Sequence, residues 1–239
     1  MALTKVSPEI LDLNNTAGTS NLRLGVNAGN SIVSGGDYNT VVGDEAGTAI
    51  TTGIRNVLIG YQAGDALTDA DYNTAVGYGA LSADTLGLRN TAVGYNTLAT
   101  QNFTSATTSY NTAMGFNAGV SVTTGVENTL IGGLAGDATT TGSYNVALGK
   151  DALSANTTGG SNVALGKSSM AATTTGGNNT AVGTLAVLSN TTGSNNVAVG
   201  REALEANTTA SNNTAVGYQS LTANTTGASN VALGKHSML

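Results

Sequence analysis

The side chains that most often carry out catalysis are scarce in this chain. It contains one histidine, His236, and no cysteine, so it offers no thiolate nucleophile and no central Ser-His-acid set. The carboxylates of Asp44-Glu45 are adjacent in sequence and point apart on a strand or turn. Gly159-Gly160 and Gly176-Gly177 lack the lysine and the strand–helix context of a phosphate-binding loop. The sequence therefore predicts no catalytic, cofactor-binding or metal-binding residues, and a protein that is not an enzyme.

Composition restricts the partners as well. Of the 239 residues, 9% are charged and 4% are aromatic, and the formal net charge is −6. The acidic residues are scattered and no basic stripe is visible, so nucleic acid is not expected as a partner. No segment reaches the roughly 20 apolar residues that span a bilayer, so membrane insertion is not expected either. With so few aromatic residues, a thin core of small aliphatic side chains is favoured over one thick globular core.

One pentad recurs along almost the whole chain. The pattern N-x-x-φ-G, in which φ is aliphatic, occurs 13 times, and its glycines are 17 residues apart except for one step of 18 and one of 21. This period is too short for helical repeats, which need roughly 33 residues. It predicts an all-β parallel β-solenoid of 13 coils, each with two short strands and two glycine corners of positive φ. At about 4.8 Å per coil, the coils would form a rod roughly 60 Å long.

The first residue of the pentad is always asparagine. Identical asparagines stacked one coil apart can form a ladder of side-chain amides. We assign this structural role to Asn39, Asn56, Asn73, Asn90, Asn111, Asn128, Asn145, Asn162, Asn179, Asn196, Asn213 and Asn230.

The remaining pentad positions predict how the coils pack. Positions two and four lie on one face of a strand, and positions one, three and five lie on the other. Position four is always aliphatic, so we expect it to form a buried column. Position three is mostly alanine, as at Ala75 and Ala147, and a wholly exposed face would not need alanine so often. We therefore predict a homotrimer in which these alanines lie near the subunit contacts.

Two parts of the chain depart from the regular repeat. Residues 1–20 do not repeat, whereas residues 21–239 form the solenoid shaft. The 21-residue step places extra residues near 99–109, which we interpret as a corner loop that bulges from the rod.

The residue that follows each pentad glycine is variable, which indicates an exposed corner. It is tyrosine at Tyr61, Tyr78 and Tyr95, and lysine or arginine in other copies. Aromatic rings at this corner either contact a sugar or cover the coil, and we favour the covering role.

The repeats resemble those of known fibrous proteins. The runs N-T-A-V-G-Y-G-A-L (Asn73–Leu81) and N-V-A-L-G-K-D-A-L (Asn145–Leu153) resemble head repeats of trimeric autotransporter adhesins. Heads of that family are left-handed parallel β-rolls of three chains, so the resemblance implies a left-handed roll, intertwined or packed as a trimer. The same style of repeat is found in bacteriophage tail fibres, and Met1–Val6 resembles the N-termini of cyanophage-like fibres. A period of 17 is slightly long for the autotransporter family.

These resemblances imply a structural fibre of the virion. Residues 1–20 would attach it to a phage baseplate or tail protein, and the shaft would present surfaces that adhere to the host cell. Such a protein is located in the phage tail and is extracellular after release. The apolar residues assigned to attachment are Leu3, Val6, Ile10, Leu11 and Leu13.

Two alternatives remain open. One is the head of a bacterial surface adhesin of the trimeric autotransporter type, which predicts a secretion signal and a membrane anchor in the full gene. The other is an ice-binding solenoid, which needs a flat T-x-T array. The T-T-G turns of this chain, such as Thr51-Thr52-Gly53, form such an array poorly.

Overall fold

The computed structural model of the chain describes residues 11–12 and 18–238, and every regular element in these ranges is a β-strand. Each of the 13 repeats contributes one three-residue strand, and three two-residue strands complete the set, which confirms the all-β solenoid. The strands are β1 (Leu11–Asp12), β2 (Leu22–Leu24), β3 (Thr40–Val42), β4 (Val57–Ile59), β5 (Thr74–Val76), β6 (Gly87–Leu88), β7 (Thr91–Val93), β8 (Thr107–Thr108), β9 (Thr112–Met114), β10 (Thr129–Ile131), β11 (Val146–Leu148), β12 (Val163–Leu165), β13 (Thr180–Val182), β14 (Val197–Val199), β15 (Thr214–Val216) and β16 (Val231–Leu233).

The chain divides into two compact units, residues 1–111 and residues 112–239. In the first unit the parallel strands follow the order β2-β3-β4-β5-β7, and in the second they run from β9 to β16 in chain order. The register matches the repeat, since Thr129 of β10 aligns with Val146 of β11. The short strand β1 pairs antiparallel with β2, which covers an edge that would otherwise present unpaired backbone groups.

The predicted second strand of each coil is wrong for most of the described chain. Only β6 and β8 form such a pair there. Elsewhere the rest of the coil is turn, yet its backbone still bonds to the next coil. Leu153 N–H donates to Ser169 O over 2.9 Å, and Thr157 N–H donates to Thr174 O over 2.9 Å. Hydrogen bonds between neighbouring coils therefore run around the perimeter and are not confined to the strands.

The predicted orientation of the strand faces is also wrong. We number the positions of a coil from 1, the pentad asparagine, to 17. In the two longer coils, number 17 is kept for the residue before the next pentad asparagine. Position three is buried, and Ala75 and Ala147 have no exposed surface. Position four is at least partly exposed in every repeat, with Ile59 38% and Leu148 48% exposed. The alanines therefore fill the core and cannot lie at subunit contacts, and the aliphatic column is on the outside. Both strand faces are apolar, so alternation alone does not decide which one turns inward.

The core is filled in two alternative ways. Where position nine is glycine, as at Gly64, a larger aliphatic side chain at position three, at position twelve or at both fills the space, here Leu58 and Leu67. A Cβ atom on Gly64 would lie 2.7 Å from Leu58 Cδ2 and 2.8 Å from Leu67 Cδ1. Where position nine is aliphatic, position three is alanine and position twelve is polar, which compensates for the added volume. These aliphatic residues are Leu81, Leu98, Leu153, Met170, Val187, Leu204 and Leu221.

The two glycines of a coil are needed for different reasons. The pentad glycines have φ values from 114° to 142°, so the predicted positive φ is confirmed for them. The glycine of the T-T-G turn, for example Gly142, is not in the left-handed region, and the prediction is wrong there. A Cβ atom on Gly142 would lie 2.5 Å from the carbonyl oxygen of Gly159 in the next coil. Close stacking, not φ, excludes a side chain at this site.

The corners are made largely by residues other than glycine. Asp151, Leu153 and Ser161, at positions seven, nine and 17, have φ values of 57°, 57° and 59°. The left-handed conformation costs roughly 1–2 kcal/mol per residue. Backbone hydrogen bonds to neighbouring coils offset this cost, such as Asp151 N–H to Gly133 O and Ser161 N–H to Ser143 O.

The pentad asparagines are linked from coil to coil inside the solenoid. Asn162 Oδ1 accepts hydrogen bonds from the backbone N–H of Asn179 over 3.0 Å and from its Nδ2 over 3.1 Å. Asn162 Nδ2 donates to Gly176 O over 2.9 Å. The first unit repeats the pattern, with Asn56 Nδ2 donating to Asn39 Oδ1 over 3.1 Å. Each side chain therefore satisfies buried backbone groups as well as a neighbouring amide.

The two ways of filling the core predict a compensating set of substitutions. Gly64→Leu alone overpacks the coil against Leu58 and Leu67, and we expect it to reduce the free energy of unfolding by about 2 kcal/mol or more. Adding Leu58→Ala and Leu67→Asn gives this coil the composition of the coils with aliphatic position nine, and should recover most of the loss. Urea unfolding followed by circular dichroism measures both effects.

The matched control carries Leu58→Ala and Leu67→Asn without Gly64→Leu. It leaves a cavity and should be the least stable of the three variants. A triple variant no more stable than Gly64→Leu alone would show that the two core compositions are not interchangeable.

Candidate interaction surfaces

Reactive side chains do not assemble into a catalytic group in the described part of the chain. His236 is exposed, and its ring meets that of Tyr218 edge-on, with centroids 5.2 Å apart. Within residues 11–12 and 18–238, no group of three or more His, Asp or Glu side chains is placed to hold a metal ion. The same residues contain no helix of the length and apolar character needed to cross a membrane.

The most extended surface feature is an apolar stripe, formed by the side chains at positions two and four of successive strands. Position two is threonine, valine or leucine and position four is always aliphatic, yet neither position is buried in any repeat. In β14, Val197 and Val199 are each 38% exposed. The parallel register places each of these side chains directly beside its equivalents in the neighbouring coils. Each unit therefore presents a continuous row of aliphatic groups to its surroundings.

A file of alternating tyrosine and arginine lies at position 17 of the first unit, just before the strands. We call it the Tyr–Arg file, and it consists of Tyr38, Arg55, Tyr72, Arg89 and Tyr110, all exposed. The Arg55 guanidinium lies 5.3 Å from the Tyr38 ring centroid and 5.5 Å from that of Tyr72. Arg89 lies 5.2 Å from Tyr72 and 5.8 Å from Tyr110. Each guanidinium is therefore sandwiched between two rings, in the range of cation–π attraction.

A second aromatic file lies at position six, just after the strands of the first unit. We call it the tyrosine stack, and it consists of Tyr61, Tyr78 and Tyr95, which are exposed as predicted. Ring centroids are 5.3 Å apart for Tyr61 and Tyr78, and 5.1 Å apart for Tyr78 and Tyr95. Because the rings stack on one another, their faces are used in contacts within the file. This supports the covering role over sugar contact, which uses ring faces.

Asp84 is a fully buried carboxylate beside the insertion of the first unit. Its Oδ2 accepts a hydrogen bond from Gln101 Nε2 over 2.6 Å, and its Oδ1 accepts from the backbone N–H groups of Gly87 (3.0 Å) and Phe103 (3.1 Å). Gln101 Oε1 accepts in turn from Asn111 Nδ2 over 2.8 Å, which connects this group to the asparagine ladder. Burial raises the pKa of Asp84, although the hydrogen bonds from Gln101, Phe103 and Gly87 act in the opposite direction.

The insertion near 99–109 is held against the solenoid by these contacts. Phe103 is only 6% exposed, and its carbonyl accepts a hydrogen bond from Thr85 Oγ1 over 2.9 Å. Residues 104–106 are exposed.

The residues assigned to attachment are described only in part. Leu3, Val6, Ile10 and Leu13 lie outside the described residues. The backbone of Leu11 belongs to β1 and pairs with Leu24 of the first coil.

Sequence reasoning missed the apolar stripe and the Tyr–Arg file. The stripe was missed because its aliphatic residues were assigned to the core. The file has a signal that could have revealed it. Tyrosine and arginine alternate at the residue before the pentad asparagine in five successive repeats, from Tyr38 to Tyr110.

The raised pKa of Asp84 predicts a pH dependence of stability. The native state holds the carboxyl proton of Asp84 more tightly than the unfolded state does. The contribution of this proton to the free energy of unfolding is therefore largest below the unfolded-state pKa and is lost as pH rises through the folded-state pKa. Asp84→Asn cannot titrate. The free energy of unfolding of this variant, relative to that of the wild type, should therefore increase as pH is raised from 4 to 7. Urea titrations at each pH measure this difference.

Thr175→Asn, which changes an exposed side chain that does not titrate, is the control and should follow the wild-type pH profile closely. If the difference between Asp84→Asn and the wild type is constant with pH, Asp84 does not hold its proton more tightly in the folded chain.

Comparison with models of protein families, with curated proteins and with solved structures finds no match to this chain.

Proposed function

We propose that this protein is a structural fibre protein of a phage tail rather than an enzyme. In this proposal it is a homotrimer whose chains pack through their apolar stripes. The observation that carries the proposal is the exposure of position four, which is aliphatic in all 13 repeats and is not buried in any of them. A solvated face would accept threonine or serine at this position at no cost.

The energetics favour covering the stripe. Apolar surface removed from water contributes roughly 25 cal/mol per Å². Monomeric soluble proteins rarely expose contiguous apolar patches larger than a few hundred Å², and larger patches mark interaction sites. A second and third copy of the same chain offer a stripe of the same period, so aliphatic side chains can interlock at every coil. The subunit contact of the trimer is thus moved from the alanines, where the sequence placed it, to the valines, isoleucines and leucines of position four.

The place of this trimer in a phage rests on the resemblance of its repeats and of Met1–Val6 to tail fibres. In this proposal residues 1–20 attach the fibre to a baseplate or tail protein, and the shaft presents the surface that adheres to the host cell. The protein is then located in the virion and is extracellular after release.

A bacterial surface adhesin head is the second candidate, because a stripe-packed trimer serves that function equally well. The neighbouring genes separate the two. Tail-assembly genes favour a phage fibre, and a secretion signal in the full reading frame favours an adhesin.

The ice-binding alternative has weaker support. In the T-T-G turns of the second unit, the first threonine donates its hydroxyl to the next coil, as Thr157 Oγ1 does to Thr174 O over 3.1 Å. Only the second threonine, for example Thr158, is exposed. The turn thus presents a single file of threonines instead of a T-x-T array.

Charges placed on the apolar stripe should abolish self-association. We expect the wild type to sediment as a trimer and the Val197→Glu/Val199→Glu variant to sediment as a monomer, because carboxylates would be buried without partners in the interface. Analytical ultracentrifugation measures the mass. Thr175→Glu/Thr192→Glu adds the same charge at exposed turn positions and should remain a trimer. A monomeric wild type at micromolar concentration would refute the trimer.

Deletion of residues 1–20 tests the attachment role. We expect phage carrying the deletion to lack the protein in purified virions, as measured by immunoblotting, while the purified variant stays trimeric. Normal incorporation of the deletion variant would contradict the attachment role.

A further inference from the structure

The cationic side chains of this chain are concentrated beside the apolar stripe. Six of its eight lysines and arginines occupy position 17 or position six, the two exposed positions that flank each three-residue strand. We call position 17 the leading rim and position six the trailing rim. The six are Arg55 and Arg89 on the leading rim and Lys150, Lys167, Arg201 and Lys235 on the trailing rim.

Within each unit the cations occupy one rim only. In residues 1–111 the leading rim contains Arg55 and Arg89, and the trailing rim contains the Asp44 carboxylate followed by the tyrosine stack. In residues 112–239 the arrangement is reversed. There the trailing rim contains all the rim cations, and the leading rim contains acceptors without a cation: Glu127, Tyr144, Ser161, Asn178, Asn195, Asn212 and Ser229. The two rims of a unit are therefore complementary to each other.

The contacts that Arg55 and Arg89 make within the chain indicate which kind of partner could still bind them. A tyrosine ring lies on either side of each guanidinium along the file, so further partners are reached through its N–H groups. A guanidinium has five N–H donors. Arg55 gives one to Tyr72 Oη over 3.0 Å, and Arg89 lies 3.4 Å from Thr108 Oγ1. The remaining N–H groups require acceptors that lie beside the apolar stripe.

The trailing rim of the first unit supplies acceptors of this kind. Tyr61, Tyr78 and Tyr95 stack through their ring faces, and each ring carries a hydroxyl group on its edge. Asp44 is exposed at the end of the same row. Hydroxyl and carboxylate oxygens both accept from guanidinium N–H groups, and the carboxylate bond is charge-assisted.

Parallel packing brings the two kinds of rim together. When copies pack through their stripes around an axis parallel to the direction of stacking, the leading rim of one copy meets the trailing rim of the next. Antiparallel copies that overlap over the same unit instead bring leading rim to leading rim, where arginine faces arginine or an already stacked tyrosine.

We propose that Arg55 and Arg89 of one copy donate hydrogen bonds to Asp44 and the tyrosine stack of the neighbouring copy, and that these rims set a parallel orientation. This rests on the proposed self-association through the apolar stripe and adds its orientation and its polar specificity. The apolar contact supplies affinity, and the rims exclude misaligned pairings.

Cysteine cross-linking tests the orientation, because the chain has no cysteine of its own. Tyr72→Cys lies on the leading rim and Tyr78→Cys lies on the trailing rim of the same strand, β5. The double variant should form disulfides between copies under mild oxidation and give a covalent oligomer on denaturing gels, whereas each single variant should not. A disulfide requires Cα atoms within about 7 Å, so it reports direct contact of the rims. A control pair, Thr52→Cys with Tyr78→Cys, places one cysteine at an exposed turn and should not link.

Replacement of the guanidinium groups tests the polar contact between the rims. Arg55→Gln/Arg89→Gln should raise the dissociation constant of the oligomer about tenfold at low salt, with the difference shrinking at high salt. Arg55→Lys/Arg89→Lys keeps the charge but not the planar guanidinium. Its dissociation constant should lie between those of the wild type and of the glutamine variant.

The outcomes distinguish the rim contact from the proposed trimer on which it rests. Cross-linking of the Tyr72→Cys variant with itself, or an oligomer with neither cross-links nor sensitivity to the arginines, overturns the rim contact and leaves the trimer intact. A wild type that stays monomeric overturns both.

Discussion

Within each unit, most residues of the repeat lie beside their counterparts in the next coil, about 4.8 Å away. This constraint governs the rest of the structure, because whatever occupies one position must tolerate a copy of itself or a compatible neighbour directly above and below. Asparagine suits it well, since its amide both donates and accepts, as Asn162 and Asn179 show. Like charges do not suit it, since two unit charges this close repel by about 1 kcal/mol even in water. A charged fraction of 9% and the alternation of tyrosine with arginine in the Tyr–Arg file are consistent with that cost.

The same close stacking makes the interior narrow. Glycine carbonyls of adjacent coils approach so closely that a Cβ atom on Gly142 would meet one at 2.5 Å. Alanine at position three fits this interior. Larger aliphatic side chains come from position nine in some coils and from position three, position twelve or both in the others. Leu153 supplies it from a left-handed backbone conformation that the sequence does not announce. The strain is distributed over many corners and offset by hydrogen bonds between coils.

A narrow interior has consequences for the surface. Small side chains fill the inside, so the larger aliphatic residues of the pentad lie on the outside, where they form the apolar stripe. The protein is thus built with its strongest hydrophobic pattern available to a partner of the same period. The rims add arginines and tyrosines that stack on one another beside the stripe. In the proposed trimer, identical chains would cover such a surface coil by coil, which a small-molecule site would not require.

The sequence alone determined the period, the fold class, the positions of the strands and the asparagine column, because these depend on spacing and residue type. It also determined that the residue after most pentad glycines, such as Tyr78, is exposed. The tertiary structure decided which strand face turns inward, since Ala147 and Leu148 are both apolar and alternation is symmetric between them. It decided the corners too, because Gly142 is required by the proximity of Gly159 and not by its own dihedral angles. The inward face is the one whose side chains fit between the walls of a coil, where a Cβ atom on Gly64 would already lie 2.7 Å from Leu58 Cδ2 and 2.8 Å from Leu67 Cδ1.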